Sequence, residues 1–506
     1  MKVFPSTHQY SSGQKNKSGI FSKSSDDGRH RISRLILAAL LLAGIVFSFL
    51  IAKAGLTAGI MILIVSIGIP LIYSVVVYPE VGILVFLVGA YLVLWVIRMG
   101  VNFPLGTLMD ALQVLLLLGF FIKQKGKPDW SMIKSPIGKV ILIWVGFNII
   151  EVMNPAASSP LTWIYTIRTV AVVMLMYFVF VYQIRSTKFI RTILKVWLGL
   201  SLFAAIYGFK QEYFGFFAFE QEQLNDPLMI SLLFVGGFWR KFSIFSDPVA
   251  FAYNMVISSL LCICLITGTT KNWKKIVLLL LALFFLLNML YSGTRGAYVL
   301  VPAALVLIAV LNYSKKVLII SIVAGMMIGV LIVMPTSNLT IMRFQSAFKP
   351  SEDASYKVRK NNQKRIQPFI WSHPIGGGLG ATGVWGQRFA PGSFLASFPP
   401  DSGYVRVAVE LGWVGLFLIC LLMFVILKTG IRNYFLIKNP ELKSYCLAAT
   451  TVIFALNIGN FPQEAIVQFP SNVLFVLATS IITNTLKFDQ SLTNNLSHEA
   501  GVDHKA

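Results

Sequence analysis

The sequence predicts an all-α polytopic membrane protein with about 12–14 transmembrane helices and one large external loop containing short helices. Three observations carry that expectation. The 506 residues are 56% hydrophobic and only 12% charged, about half the charge of an ordinary soluble domain. Apolar runs close to the ~20 residues that cross a bilayer recur along the chain. One long polar, basic stretch, residues 335–402, interrupts them.

The elements follow in order. Residues 1–33 are Ser- and Lys-rich without a cleavable signal pattern and read as a disordered cytoplasmic tail. Spans are expected near 34–52, 56–77, 81–97, 105–122, 137–153, 163–182, 190–209, 249–267, 273–291, 296–312 and 316–334, making 34–334 one helical bundle. The loop 335–402 comes next, then three C-terminal spans within 403–486, near 403–427, 443–460 and 469–486. Residues 487–506 read as a second disordered cytoplasmic tail.

Net charge is +23, which raises nucleic acid as a partner, yet the basic residues alternate along the chain as they do in a membrane protein. The N-terminal tail is basic, and so are the connections KQKGKPDWSMIKSPIGK, YQIRSTKFIR, TKNWKK, NYSKK and KTGIRNYFLIKNPELK, whereas NPAASSPLT has no Lys or Arg. YPE at 78–80 is too short to weigh. Positive residues stay on the cytoplasmic side of short loops. Both termini are therefore expected in the cytoplasm and the 335–402 loop outside, which excludes nucleic acid as the partner. That loop carries eight basic residues and three acidic ones; loops of this length escape the charge rule, so its basicity calls for an anionic ligand.

Several chemistries are excluded. Cys262, Cys264, Cys420 and Cys446 lie in or at the ends of apolar spans, without disulfide or thiolate-metal spacing. His373 is the one histidine outside the tails, which leaves no multi-histidine metal site. ASYKVRKNNQKRIQPFIW has the spacing of a short amphipathic helix with a basic face, ended by Pro374. The following GGGLG permits a tight turn but matches neither GxxxxGK[ST] nor GxGxxG, so no nucleotide site is expected.

The candidate chemistry rests on arginines near the outer face. Arg295 stands between two glycines in YSGTRGAYV, Arg168 lies well inside a span, and Arg240 precedes a span in GGFWRKFSIFSDP. A guanidinium at membrane depth is costly unless paired or snorkelling. Convergence of the three on one outer cavity is one reading; separate structural ion pairs, for instance to Glu151 or Asp247, are the other. The planar fork of Arg suits diphosphate, with anionic phospholipid as the bland alternative. A sugar hydroxyl needs a base, for which Asp401 and Glu410 are candidates; Asp401 equally suits a helix cap.

The order AIYGFKQEYFG, FSIFSDPVAFAYNM, YSGTRGAYV, Arg359 before HPIGGGLG, and DSGYVRVAVELGWVGL resembles the O-antigen ligase and O-antigen polymerase superfamily over roughly residues 205–425. The resemblance implies a metal-independent integral-membrane glycosyltransferase of the bacterial inner membrane. Its donor would be an undecaprenyl-diphosphate-linked glycan and its acceptor a glycan, lipid A core or protein, with membrane lipids around it. It implies no cofactor, and a chain-length regulator and a flippase as partners. Arg295 and Arg359 would hold the diphosphate, and Glu410 matches the glutamate before the Gly-containing re-entry helix; Arg168, Arg240 and Arg365 join them as substrate-binding candidates through the cavity and the basic loop. Ligases of the family commonly carry a histidine where this chain has Asp401, which favours a polymerase over a ligase. A flippase or transporter is the reading from another class, disfavoured because the ionisable residues cluster at the outer side instead of at mid-depth.

Overall fold

The computed structural model describes residues 68–502 except 102, 236, 269–270, 314, 338, 347 and 349–353. The expected tail 1–33, the span 34–52 and the start of the next lie outside the described residues. The chain forms α1 (Gly68–Val77), α2 (Pro79–Arg98), α3 (Leu105–Gly126), a single turn α4 (Ser131–Lys134) and α5 (Pro136–Ile150). Next, α6 (Pro160–Ile167) and α7 (Val173–Gln183) are joined by a π-helical turn, Arg168–Val172, into one span. After α8 (Thr187–Tyr213) come the short α9 (Ala218–Leu224) and α10 (Pro227–Leu233) and an antiparallel hairpin, β1 (Phe234–Val235) with β2 (Phe238–Trp239). Four long helices follow: α11 (Pro248–Ile266), α12 (Asn272–Tyr291), α13 (Arg295–Leu311) and α14 (Lys315–Val333). The loop beyond holds α15 (Leu339–Ser346), α16 (Ala354–Ser372) and α17 (Gly383–Phe389), and the chain ends with α18 (Gly403–Glu410), α19 (Gly412–Leu436), α20 (Pro440–Gly459) and α21 (Ser471–Val502).

Among the described residues ten helices are long and apolar enough to cross a membrane, so the chain is an all-α, multi-pass membrane protein. Local signals explain where they begin. Proline occupies the first turn of α2, α5, α6, α11 and α20, where no backbone donor is lost. Ser135, Ser186, Asp247 and Asn439 accept from free N–H groups of the helices they precede. The spans α11, α20 and α21 are the most enclosed, each 78% buried. Buried polar side chains tie α2, α8 and α11: Asn254 Nδ2 donates to Tyr91 Oη at 2.8 Å, Tyr91 Oη meets Ser201 Oγ at 2.9 Å, and Ser201 Oγ meets Ser258 Oγ at 2.8 Å. In lipid such contacts bind helices together where the hydrophobic effect does not.

Three expectations are corrected. The span expected at 403–427 is two helices, broken at Leu411 because Gly412 has φ +67° and a Cβ there would lie 2.0 Å from the Pro374 carbonyl oxygen. The expected tail 487–506 instead continues α21 to Val502, anchored by Asp489, whose carboxylate accepts from the backbone N–H groups of Lys438 and Asn439. The 335–402 loop is not alone: residues 214–247 form a second structured segment at the same end of the bundle. Its Lys241 N–H donates to the Tyr291 carbonyl at 3.1 Å. The opposite end gathers the basic connections, as in the pairs Lys487–Asp129 and Arg191–Glu441.

Candidate active site

The connections that meet at the loop-bearing end enclose a cavity of about 400 Å³. The approach to α11 forms one wall. Arg98, at the end of α2, donates to the carbonyls of Ser243 (3.0 Å) and Phe245, fixing the FSIFS stretch, where Ser243 has φ +53°. That places Asp247 at the start of α11, its Oδ1 accepting from Val249 N–H (2.8 Å) and Ala250 N–H (3.0 Å) and its Oδ2 from the Ser246 hydroxyl. Asp247 lines the cavity while capping the helix.

Arg240 also lines the cavity. Its guanidinium donates to the Ser292 carbonyl at 3.0 Å and to Thr294 Oγ1 at 3.1 Å, which joins the β1–β2 hairpin to the SGTRG turn. Thr294 Oγ1 in turn donates to the Pro248 carbonyl at 3.1 Å. Arg295 follows as the first residue of α13 and is half-buried. A Cβ on Gly296 would contact Pro462 and the hydroxyl of Tyr253, a cavity residue. The SGTRG turn therefore borders the cavity.

The large loop supplies the other wall. Asp401 lines the cavity, and Asn362 Nδ2 of α16 lies 3.5 Å from its Oδ2. Arg359, one turn before Asn362, is half-buried and within electrostatic reach of Tyr253. Ile366 of α16 packs against Leu395, Phe398 and Val409, which holds this helix over α18. Ser402, not Asp401, caps α18, its Oγ accepting from Val405 N–H.

Three sequence candidates lie elsewhere. Arg168 pairs with Asp110 of α3 at 2.6 Å and stands 5.4 Å from the Tyr165 ring and 5.8 Å from the Trp385 ring. It does not join Arg240 and Arg295; an acidic side chain early in α3 neutralises it, in place of Glu151 or Asp247. Arg365 is exposed and stacks 5.4 Å above Phe394. Glu410 is 2% exposed and accepts from the N–H of Gly380 (3.0 Å) and of Thr382 (3.3 Å), from the Thr382 hydroxyl, and from Arg406 Nε (3.1 Å). The Gly-rich loop does cradle an anion, and that anion is this carboxylate. Four donors on one buried carboxylate make Glu410 a clamp for the loop.

Two residues at this end were missed by sequence reasoning. Glu464, between α20 and α21, lines the cavity, and its Oε2 accepts from Arg406 Nη1 at 2.7 Å. Burial pushes the Glu464 carboxyl above its ordinary value, Arg406 opposing the shift and the charges of Glu410 and Asp247 adding to it. The available signal was an acid in the short connection NFPQEAIVQFP between two spans, with Arg406 four residues before Glu410.

Residues 278–420 match the family model described as O-antigen ligase. No curated protein matches the chain. The match covers the SGTRG turn, α16, the Gly-rich loop and α18, and it supports the resemblance to the O-antigen ligase and O-antigen polymerase superfamily. That family implies an enzyme of the glycosyltransferase type acting on glycan and lipid-linked substrates.

Proposed function

We propose that the protein polymerises undecaprenyl-diphosphate-linked oligosaccharide repeat units into O-antigen or exopolysaccharide at the outer face of the bacterial inner membrane. The observation that carries the reading is the cavity at the loop-bearing end, where Arg240, the SGTRG turn of Arg295 and the helix of Arg359 meet three carboxylates, Asp247, Asp401 and Glu464. Guanidinium groups neutralise a diphosphate leaving group through paired, charge-assisted hydrogen bonds. In this reading arginines, not a metal, supply the positive charge. The carboxylates face the other requirement, removal of a proton from the attacking sugar hydroxyl. Basic connections at the opposite end of the bundle support cytoplasmic termini and an external cavity.

Transfer to lipid A core is the second reading, which the family match accommodates equally. The two readings separate by product length. Purified protein in liposomes receives undecaprenyl-diphosphate-linked oligosaccharide alone, then with lipid A core added. A ladder of longer lipid-linked chains from donor alone supports the polymerase, and transfer only after the core is added supports the ligase. Unreacted donor that changes leaflet overturns both in favour of a flippase.

A further inference from the structure

Of the three carboxylates in the cavity, two are already engaged or dilute. Both oxygens of Asp247 accept hydrogen bonds that start α11 and fix Ser246. Asp401 is half-exposed, and among the described residues its carboxylate has one long contact, to Asn362. Glu464 differs from both. Its side chain is 19% exposed, one oxygen is held by Arg406, and among the described residues its Oε1 accepts no hydrogen bond.

The backbone that presents Glu464 is pinned. Gly403 N–H donates to the Asn460 carbonyl at 3.0 Å and Ala465 N–H to Asn460 Oδ1 at 3.2 Å. A Cβ on Gly403 would lie 2.1 Å from Asn460 Oδ1, so this approach of the two segments needs glycine. One turn later Arg406, itself half-buried, spans two carboxylates, Glu464 through Nη1 and Glu410 through Nε. Glu410 holds the Gly-rich loop through Gly380 and Thr382. A continuous chain of charge-assisted bonds thus runs from that loop to the cavity wall, and it fixes one oxygen of Glu464, a residue that lines the cavity.

We infer that Glu464 is the general base that activates the acceptor hydroxyl and that Arg406 is its positioning residue. The inference rests on the transferase reading above. In the step, the acceptor oxygen bonds to the anomeric carbon of the donor sugar as the bond from that carbon to the diphosphate oxygen breaks. The bonding pair leaves on undecaprenyl diphosphate, neutralised by the arginines. The hydroxyl proton passes to Glu464 Oε1 and from there to water. The charges facing Glu464 are Arg406 and Glu410 from α18, Asp247 at the start of α11, and Arg240 and Asp401, which line the same cavity.

The test measures kcat, KM for the donor and their pH dependence for the wild type, Glu464→Gln, Glu464→Asp and Arg406→Lys. Binding of undecaprenyl diphosphate is measured alongside, as a check of fold. Positioned general bases contribute about 10²–10⁴-fold. Glu464→Gln is therefore expected to lower kcat by about 10²-fold or more, with KM and diphosphate binding within about threefold. The wild type gains activity as pH rises through a carboxyl value above the ordinary glutamate range, because the base works only when deprotonated. Glu464→Gln removes that acid limb. Glu464→Asp restores part of kcat and the limb, and Arg406→Lys moves the limb without removing it. Unchanged kcat in Glu464→Gln, or an acid limb that survives in it, overturns the assignment. Should Glu464→Gln lose diphosphate binding, Glu464→Asp decides, and a wild-type pH profile with unchanged kcat there also overturns it. Absence of transfer by the wild type overturns the parent reading instead.

Discussion

Among single residues, under the proposed reading, the charges that meet substrate differ from those that hold the protein. Arg240→Ala and Arg295→Ala are each expected to cut transfer severely while leaving the protein folded, since a diphosphate loses a desolvated partner worth ~2–4 kcal/mol. Steady-state transfer with thermal unfolding as control checks this, and retained turnover removes the residue from the site. Glu410→Gln should act the other way. It leaves Arg406 and two backbone donors facing a neutral amide, and breaking a buried ion pair costs ~3–5 kcal/mol. The expected result is a clear drop in unfolding temperature, larger than that of Arg240→Ala. Arg240, Asp401 and the SGTRG arginine were legible because charge beside an apolar run is conspicuous. The Arg168–Asp110 pair and the Glu464–Arg406 pair were not, because their members are 58 residues apart in each case and only the packing of α3 on α7 and of α18 on the α20–α21 connection brings them together.

At the scale of elements, the decisive device is the break between α18 and α19. Pro374 N-terminal to the Gly-rich loop presents its carbonyl to Val414 N–H at 3.2 Å, and Gly377 and Gly378 N–H donate to the carbonyls of Val409 and Glu410, both at 2.9 Å. The Gly-rich loop thus plugs the gap left where the helix stops, and Gly412, at φ +67°, allows it. Gly412→Ala is expected to destabilise the protein by more than ~1 kcal/mol, from left-handed backbone strain plus the clash with Pro374. Limited proteolysis within 374–402 reads the result, and unchanged cleavage contradicts the role given to this break. Hydropathy hid the break, because VRVAVELGWVGLFLIC is apolar on both sides of Gly412. The amphipathic α16 was legible from its periodicity, although it runs from Ala354 to Ser372 with Pro368 inside it. The segment 214–247 was not, because its short helices and its two-residue strands carry no period long enough to detect.

At the scale of the whole molecule, twelve of the expected spans fall within the described residues and each holds a helix, since a bilayer leaves backbone groups few other ways to be satisfied. Sequence composition was enough for the architecture. It was not enough for the site, which forms where four separate connections meet: the end of 214–247, the SGTRG turn, the 335–402 loop and the α20–α21 connection. Under the proposed function, glycosyl transfer from a lipid diphosphate occurs there. It is tested most directly by counting undecaprenyl diphosphate released per sugar chain joined, by purified wild type and by Arg240→Ala. The account predicts one released for each bond made by the wild type and neither product from the variant. Chain growth without released undecaprenyl diphosphate, or equal release by the variant, would contradict it.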